Sequence, residues 1–188
     1  MLSFLQRFVE NRSHPGSAEA AGLYAQLVEL ARNPLFYTRF QVRDSLDGRF
    51  DMITILAVLL IRRLQQDGEP GKQLGQEIVD VMFAELDLGL HEIGVNENKV
   101  GGKVKQMATA FLGRMKVYVA ALDGGDDARL ADALMRNLYR GSGDAELCSR
   151  LVAVLHVLED WLAGIDDNLI RSGKLPSSEE LFIEIAEY

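Results

Sequence analysis

Cysteine, proline and tryptophan are scarce in this chain of 188 residues, which contains one cysteine, four prolines and one tryptophan. The lone cysteine, Cys148, cannot form a disulfide within the chain, so nothing indicates an oxidising compartment and we expect a cytoplasmic protein. Few prolines and many Ala, Leu and Glu residues favour helices. No segment shows the alternation that is typical of a strand. The composition predicts an all-α fold, a single compact domain of about six to eight helices.

Long hydrophobic runs are also missing. The longest one, residues 53–61, is far shorter than the roughly 20 residues that a helix needs to cross a bilayer, and it ends at Arg62 and Arg63. The amino-terminal segment does not resemble a secretory signal, because Gln6 and Arg7 interrupt its apolar stretch and no small-residue cleavage site follows. We therefore expect neither a transmembrane helix nor secretion.

Positive charge is in deficit, since 20 Lys and Arg face 28 Asp and Glu and the net charge is −8. This balance argues against sequence-specific nucleic-acid binding, which needs a basic surface. One predicted helix, residues 99–122, is the exception, because it carries positive charge and no acid. It either binds an acidic protein, anionic lipid or nucleic acid, or its side chains pair with neighbouring acids. Its positive residues are Lys99, Lys103, Lys105, Arg114 and Lys116.

The chain divides into three predicted parts, which are a short amphipathic segment and linker (1–16), a helical domain (17–172) and an acidic helix or tail (173–188). The first part either docks on the core or contacts anionic lipid headgroups. In the last part, Ser177 and Glu180 have the spacing of a capping box. Apolar periodicity predicts helices over residues 18–32, 50–66, 72–92, 99–122, 127–140 and 144–164.

An aromatic loop, a polar turn and an apolar helix follow one another in the first third of the chain. The loop, residues 34–44, contains Phe36 and Tyr37, and such rings either fill the core or face a partner. Trp161, much later in the chain, is expected in the core of the last long helix.

The polar turn contains two carboxylates, Asp44 and Asp47, that are predicted to cap the next helix. Alternatively, they form a recognition corner together with Arg49. From Phe50 onward the helix is apolar almost all round, which predicts a central position with neighbours on most sides.

Motifs for metal chemistry are absent. A di-iron bundle needs Glu-x-x-His pairs, whereas Leu88 and Ala153 stand three residues before His91 and His156. His91 and Asp87 are one helical turn apart, a spacing that favours a surface ion pair over half of a metal site.

Nucleophilic and phosphate-binding motifs are absent as well. Cys148 lies beside Leu147 and lacks the base that a reactive thiolate needs. Gly101 and Gly102 are not followed by the Lys-Ser/Thr ending of a phosphate loop. The sequence therefore predicts no enzyme, no cofactor and no metal.

Three stretches taken together resemble the ubiquinol–cytochrome c chaperone family, the bacterial relatives of a mitochondrial assembly factor of the cytochrome bc1 complex. The resemblance covers about residues 20–140. The stretches are RNPLFYTRFQVRDSLDGRFDM, DVMFAELDLGLHEIGVNENKVGGKVKQMATAFLGRMKVY and ALMRNLY. The positions that match the family pattern are Phe36, Tyr37, Asp44, Asp47, Gly48, Arg49, Phe50, Met82, Phe83, Asp87, Glu92, Gly94, Val95, Phe111, Gly113, Arg114, Arg136 and Asn137.

Four positions depart from the family pattern. His91 stands where Arg is usual, Asn96 and Glu97 stand where Gly and Asp are usual, and Leu112 replaces an aromatic residue. If the corner between the two helices contacts a client, its specificity is expected to differ here.

The resemblance implies an α-helical chaperone that binds cytochrome b, a membrane subunit, and assists assembly of the cytochrome bc1 complex without catalysis. It also implies a cytoplasmic protein that is peripheral on the cytoplasmic face of the inner membrane. The alternatives are an interaction module of the same fold with another client and, less favoured, a metal- or haem-dependent enzyme that uses His91 or His156. The partner-binding candidates are Phe36, Tyr37, Arg49, Asp87, His91, Glu92, Lys99, Lys103, Lys105 and Arg114.

Overall fold

A computed structural model describes residues 16–188, and over this range the chain forms nine helices and no strand. The all-α prediction is confirmed. The predicted amphipathic segment at the amino terminus lies outside the described residues, except for Gly16. The helices are α1 (Ala18–Ala31), α2 (Pro34–Thr38), α3 (Leu46–Gln65), α4 (Gly68–Glu92), α5 (Glu97–Asp123), α6 (Asp127–Asn137), α7 (Ala145–Ala163), α8 (Asp167–Arg171) and α9 (Glu179–Ile185).

Helix α3 is the centre of the fold, as its apolar sequence predicted. Within residues 50–61 every side chain except that of Ile53 is buried. The helix contacts α1, α4, α5 and α7, so it has neighbours on most sides. Because a helix that is apolar all round can be stable only when it is surrounded, the other long helices pack around α3.

The start of α3 differs from the sequence prediction. The helix begins at Leu46, and its N-cap is Ser45, whose hydroxyl oxygen accepts a hydrogen bond from the Gly48 amide at 3.1 Å. Asp44 is therefore not a cap, because it lies one position too early and binds Arg49 instead. Asp47 is not a cap either, but it lies in the first turn, where a negative charge favours the helix dipole.

Prolines lie in the first turn of two helices whose start the sequence did not predict correctly. Pro34 ends the segment of α1 as expected, but it also starts the short helix α2 in what was predicted to be loop. Pro70 lies in the first turn of α4, which begins at Gly68 and not at residue 72. In both cases the missing amide proton of proline falls where a helix has no internal acceptor, so the helix tolerates it.

The carboxy-terminal helix α9 packs against α7 and buries Leu181 and Ile185. The predicted capping box is wrong, because the N-cap is Ser178 and its side chain makes no capping bond. Ser177 accepts only a long bond of 3.4 Å from the Glu179 amide. Trp161, which was expected in the core, is half-buried at the edge of α7.

Within residues 16–188, no helix combines the length and the apolar character that crossing a membrane requires. The buried side chains of all the long helices form one hydrophobic cluster. The proposed division at residue 173 stays a prediction.

We expect Gly48→Ala to destabilise the protein by about 2–4 kcal/mol, because overpacking and backbone displacement both cost free energy. A Cβ atom at Gly48 would lie 2.0 Å from the Arg43 carbonyl oxygen. The matched control is Gly102→Ala in α5, where no atom lies within 4 Å of the added Cβ. That change should stabilise the protein by about 0.5–1 kcal/mol, because alanine is the better helix former. Urea unfolding measures the free energy of unfolding of both variants. A Gly48→Ala variant as stable as wild type would contradict the close approach of Gly48 to the Arg43 carbonyl oxygen.

Candidate functional site

A buried carboxylate connects three parts of the fold. Asp51 of α3 is 1% exposed. Its Oδ1 lies 2.9 Å from Nη2 of Arg114 on α5, and its Oδ2 accepts a hydrogen bond of 3.1 Å from Nη2 of Arg140, just after α6. The Arg114 guanidinium also lies 5.9 Å from the centre of the Phe50 ring. Since an unpaired buried charge is strongly unfavourable, the two arginines are required wherever Asp51 is ionised.

Burial raises the pKa of Asp51 to about 6, against the opposing effect of the nearby Arg114 and Arg140 guanidinium groups. Asp47, one turn earlier, extends the cluster, because Arg140 Nη2 lies 3.5 Å and Lys103 Nζ 3.9 Å from its carboxylate. The sequence did not predict this cluster. A carboxylate between Phe50 and Met52, in an otherwise apolar run, was the available signal.

The positive residues of α5 do not form one strip. Arg114 and Lys103 point to the acids of α3, so the first is a structural residue and the second is partly neutralised. Lys99, Lys105 and Lys116 are exposed and form no ion pair with the described residues. Of these, Lys105 and Lys116 are eleven residues apart and so share one face of the helix.

That outer face of α5 is open to solvent. Gly102 and Gly113 lie on the same side of the helix, and no atom lies within 4 Å of a Cβ added at either position. An open face with separated positive charges suits an extended anionic surface better than a small anion.

Arg49 lies at the surface and binds the neighbouring turn. Its Nε donates to Asp44 Oδ1 at 2.7 Å and its Nη2 to Oδ2 at 3.3 Å, which lowers the pKa of Asp44. Tyr37 lies nearby, and its hydroxyl donates to the Ala31 carbonyl at 2.7 Å. Arg49, Tyr37 and Arg32 border both an apolar crevice of about 210 Å³ and an adjoining polar hollow of about 370 Å³. We call the first of these the arginine crevice.

Phe36, the neighbour of Tyr37, is a core residue. It is 0% exposed, and its ring lies 6.4 Å from that of Phe40 and 6.0 Å from that of Phe182. The prediction that Phe36 contacts a partner is therefore not supported, because its ring is unreachable in this structure. The alternative prediction, that such rings fill the core, holds for Phe36.

The turn from α4 to α5 collects several candidate residues at the surface. His91 Nε2 lies 3.6 Å from Asp87 Oδ2 on the same helix, which is the surface ion pair that the spacing favoured. Glu92 ends α4, Gly94 turns the chain with a φ of +79°, and Asn96 caps α5. Lys99 is exposed on the first turn of α5.

Two large apolar side chains are exposed at the same turn, and the sequence predictions missed both. Leu88 is 58% and Ile93 is 64% exposed. In the sequence, the signal for the exposure of Leu88 was its position outside the apolar stripe of α4, to which the buried Leu90 belongs. Three exposed carboxylates are close to these residues in the chain, and none of the three forms an ion pair with the described residues. We call Leu88 and Ile93, with the flanking Glu85, Glu92 and Glu97, the α4–α5 corner.

Reactive groups do not converge in the part of the chain that the structure describes. Over residues 16–188 no cluster of three or more His, Cys, Asp or Glu side chains is arranged to hold a metal ion. His156 binds Asp127 at 2.8 Å and Glu159 at 3.2 Å. Cys148 is buried, and desolvation raises the pKa of its thiol, which disfavours the nucleophilic thiolate.

Comparisons with known proteins agree on one family. The family model described as ubiquinol-cytochrome C chaperone matches residues 38–178. The crystal structure of the Cbp3 homolog from Brucella abortus is similar to this chain, with a TM-score of 0.74 and 31% sequence identity over 93% of this chain and 95% of that one. The comparison with curated proteins found no match.

The stability contributed by Asp51 is expected to fall as the pH rises. The pKa of Asp51 is about 6 in the folded protein and about 3.9 in the unfolded chain. Its contribution to stability is therefore complete below about pH 3.9 and is lost as the pH rises through about 6. Asp51→Asn cannot titrate. Measured by urea unfolding, the stability of wild type relative to Asp51→Asn should therefore decrease by roughly 2–3 kcal/mol between about pH 4 and about pH 7.

The matched control for this prediction is Asp44→Asn. The pKa of Asp44 is lowered by Arg49, so its contribution is present above the unfolded pKa and lost as the pH falls. The difference in stability between wild type and Asp44→Asn should change with pH in the opposite direction. The change should be smaller, because the ion pair of Asp44 with Arg49 is exposed. A pH-independent difference for Asp51→Asn would contradict the assignment.

Proposed function

Because the chain belongs to the ubiquinol-cytochrome c chaperone family, we propose that it is an assembly chaperone that binds cytochrome b and assists assembly of the cytochrome bc1 complex. The family match over residues 38–178 is the observation that carries the proposal. The protein acts by binding, without catalysis. Its cytoplasmic location, peripheral on the inner membrane, is part of the same proposal.

The α4–α5 corner is the proposed contact for the client. A membrane subunit that has not yet been assembled exposes apolar helices whose cytoplasmic ends carry Lys and Arg. Leu88 and Ile93 offer an apolar contact of matching character. The exposed carboxylates of Glu85, Glu92 and Glu97 belong to the same end of α4 and the start of α5 and would attract the positive ends.

The arginine crevice is a second contact that we propose for the client. Its volume of about 210 Å³ is below that of typical small-molecule pockets, which is about 300–1,000 Å³. It suits a single apolar side chain. Tyr37 and Arg49 border it and would contact the backbone on either side of that side chain.

Lys105 and Lys116 on the outer face of α5 are the proposed contacts with a ribosome or an anionic membrane surface. The net charge of −8 does not oppose this, because charges beyond a Debye length of about 8 Å are largely screened. Lys99 lies at the start of the same helix and would add to the positive electrostatic potential of this face.

A second candidate function is a chaperone of the same family with a different client. The residues that depart from the family pattern at His91, Asn96 and Glu97 are all exposed, and they lie beside Leu88 and Ile93. A changed contact surface favours a changed client. Identification of the captured protein separates the two functions.

We expect tagged wild-type protein to capture cytochrome b from cells that synthesise it. The double variant Leu88→Ser, Ile93→Ser should capture about tenfold less, because two exposed apolar contacts are lost while the core is untouched. The control is Ile183→Ser, which alters a similarly exposed residue on α9. Immunoblotting and mass spectrometry of the captured material measure the result.

Several outcomes would contradict this proposal. Unchanged levels of the cytochrome bc1 complex in a deletion strain would exclude the assembly role. Capture of a different membrane subunit through the corner would support the second candidate function instead. Equal capture by the corner variant and wild type would remove the corner from the client contact.

We expect Lys105→Glu, Lys116→Glu to weaken association with ribosomes or with anionic vesicles by about tenfold or more, since each lysine near such a surface contributes about 1 kcal/mol. Thermal stability should be unchanged, because both side chains are exposed. Sedimentation with ribosomes and flotation with vesicles measure the effect. The control is Lys174→Glu, a charge reversal elsewhere on the surface. If the Lys105→Glu, Lys116→Glu variant associates as wild type does, these lysines of α5 contact only solvent.

A further inference from the structure

A wide groove lies on the side of the molecule formed by the carboxy-terminal segment. It has a volume of about 920 Å³ and runs between α1, the end of α7 and the segment that leads into α9. Leu30 of α1, Trp161 of α7 and Phe182 of α9 supply its apolar lining. None of the residues discussed for the client contacts lines it. We call it the carboxy-terminal groove.

The walls of the groove are fixed by specific bonds. Gln26 Oε1 accepts from the Leu175 amide at 2.7 Å, and its Nε2 donates to the Gly173 carbonyl at 2.9 Å. At the far end, Arg150 Nε donates to the Tyr188 carbonyl at 2.6 Å. Because these bonds and the buried side chains of α9 hold the segment in place, the groove is preformed and a partner does not have to order it.

Part of the apolar lining is open to solvent. Ile183, on the groove side of α9, is 68% exposed, and Trp161 is only half-buried. Tryptophan is enriched at the centres of interfaces because one side chain supplies a large rigid contact area. An exposed apolar surface beside a concavity is typical of a docking site.

The charged side chains that line the groove are all negative. Glu29, Glu179 and Glu187 line it, all three are exposed, and none forms an ion pair with the described residues. No Lys, Arg or His is among the described residues that line it. The carboxylates therefore repel anionic lipid and nucleic acid and attract positive side chains.

We propose that the carboxy-terminal groove binds a basic amphipathic segment of a protein partner, one that presents apolar side chains next to Lys or Arg. The apolar side chains contact Trp161 and Ile183, and the positive groups approach the carboxylates. Tryptophan is also the aromatic side chain that attracts a cation most strongly. No residue of the proposed client contacts lines the groove, so the proposal does not rest on the chaperone role.

The test uses the intrinsic fluorescence of Trp161, which is the only tryptophan in the chain. Three tryptophan-free peptides of about 14 residues, near the shortest length for a helix in water, are titrated into the full chain. One places Leu and Lys on opposite faces of an amphipathic helix, one replaces each Leu by Ser, and one replaces each Lys by Gln. Only the Leu/Lys peptide should shift the emission to shorter wavelength and protect Trp161 from acrylamide quenching.

Variants identify the surface that is responsible. Ile183→Ser, and separately Glu179→Lys with Glu187→Lys, should each weaken binding of the Leu/Lys peptide by about tenfold or more. All three residues are exposed, so the fold is retained and circular dichroism checks it. The matched control is Asp132→Lys with Glu146→Lys, which reverses two exposed carboxylates that belong neither to the groove nor to the proposed client contacts and should leave the binding unchanged.

Four results would overturn the proposal. These are an unchanged Trp161 emission with the Leu/Lys peptide, an equal response to all three peptides, and a control variant that weakens the binding as much as the groove variants do. The fourth is a concentration-dependent dimer that shifts the emission without peptide, which would assign the groove to a second copy of the chain. Capture of cytochrome b by groove variants is a separate readout, so failure here leaves the chaperone role intact.

Discussion

The buried carboxylate of Asp51 is the constraint on which the arrangement of the helices depends. It lies in the second turn of a helix that otherwise buries only apolar groups and Thr54, and its ionised form is tolerable only while Arg114 and Arg140 reach it. Those arginines come from α5 and from the turn after α6. The burial of apolar surface is non-directional, whereas the two contacts to one carboxylate are directed and join α5 and the turn after α6 to one point of α3. We infer that the ion pairs specify the packing of the helices more than they stabilise it.

The buried centre separates the proposed contact surfaces. Because α3 is surrounded, the exposed residues belong to the outer helices and turns. Leu88 marks the α4–α5 corner, Lys105 marks the outer face of α5, and Ile183 marks the carboxy-terminal groove. The first and third combine exposed apolar side chains with carboxylates, and the second is basic. The three proposed contacts therefore share no residue, and the second differs in chemistry from the other two.

The candidate residues show how far single positions can be read from sequence. Phe36 and Tyr37 are adjacent and both match the family pattern, yet one is fully buried and the other borders the arginine crevice. Arg114 and Lys105 belong to the same basic helix, yet the first binds a buried acid and the second is exposed. Side-chain direction on a helix changes by about 100° per residue, so identity and neighbourhood in the chain do not settle which side faces the core.

The sequence by itself determined the all-α class, the central position of α3 and the family, because these depend on composition, apolar periodicity and a set of residues at fixed spacing. It also located the turns at Gly94 and near Asp126, where few residues can replace those present. Only the tertiary structure decided that Asp51 is a buried partner of two distant arginines and that the carboxy-terminal segment forms one wall of a groove. Both depend on contacts between residues roughly sixty or more positions apart in the chain, and no local pattern encodes such contacts.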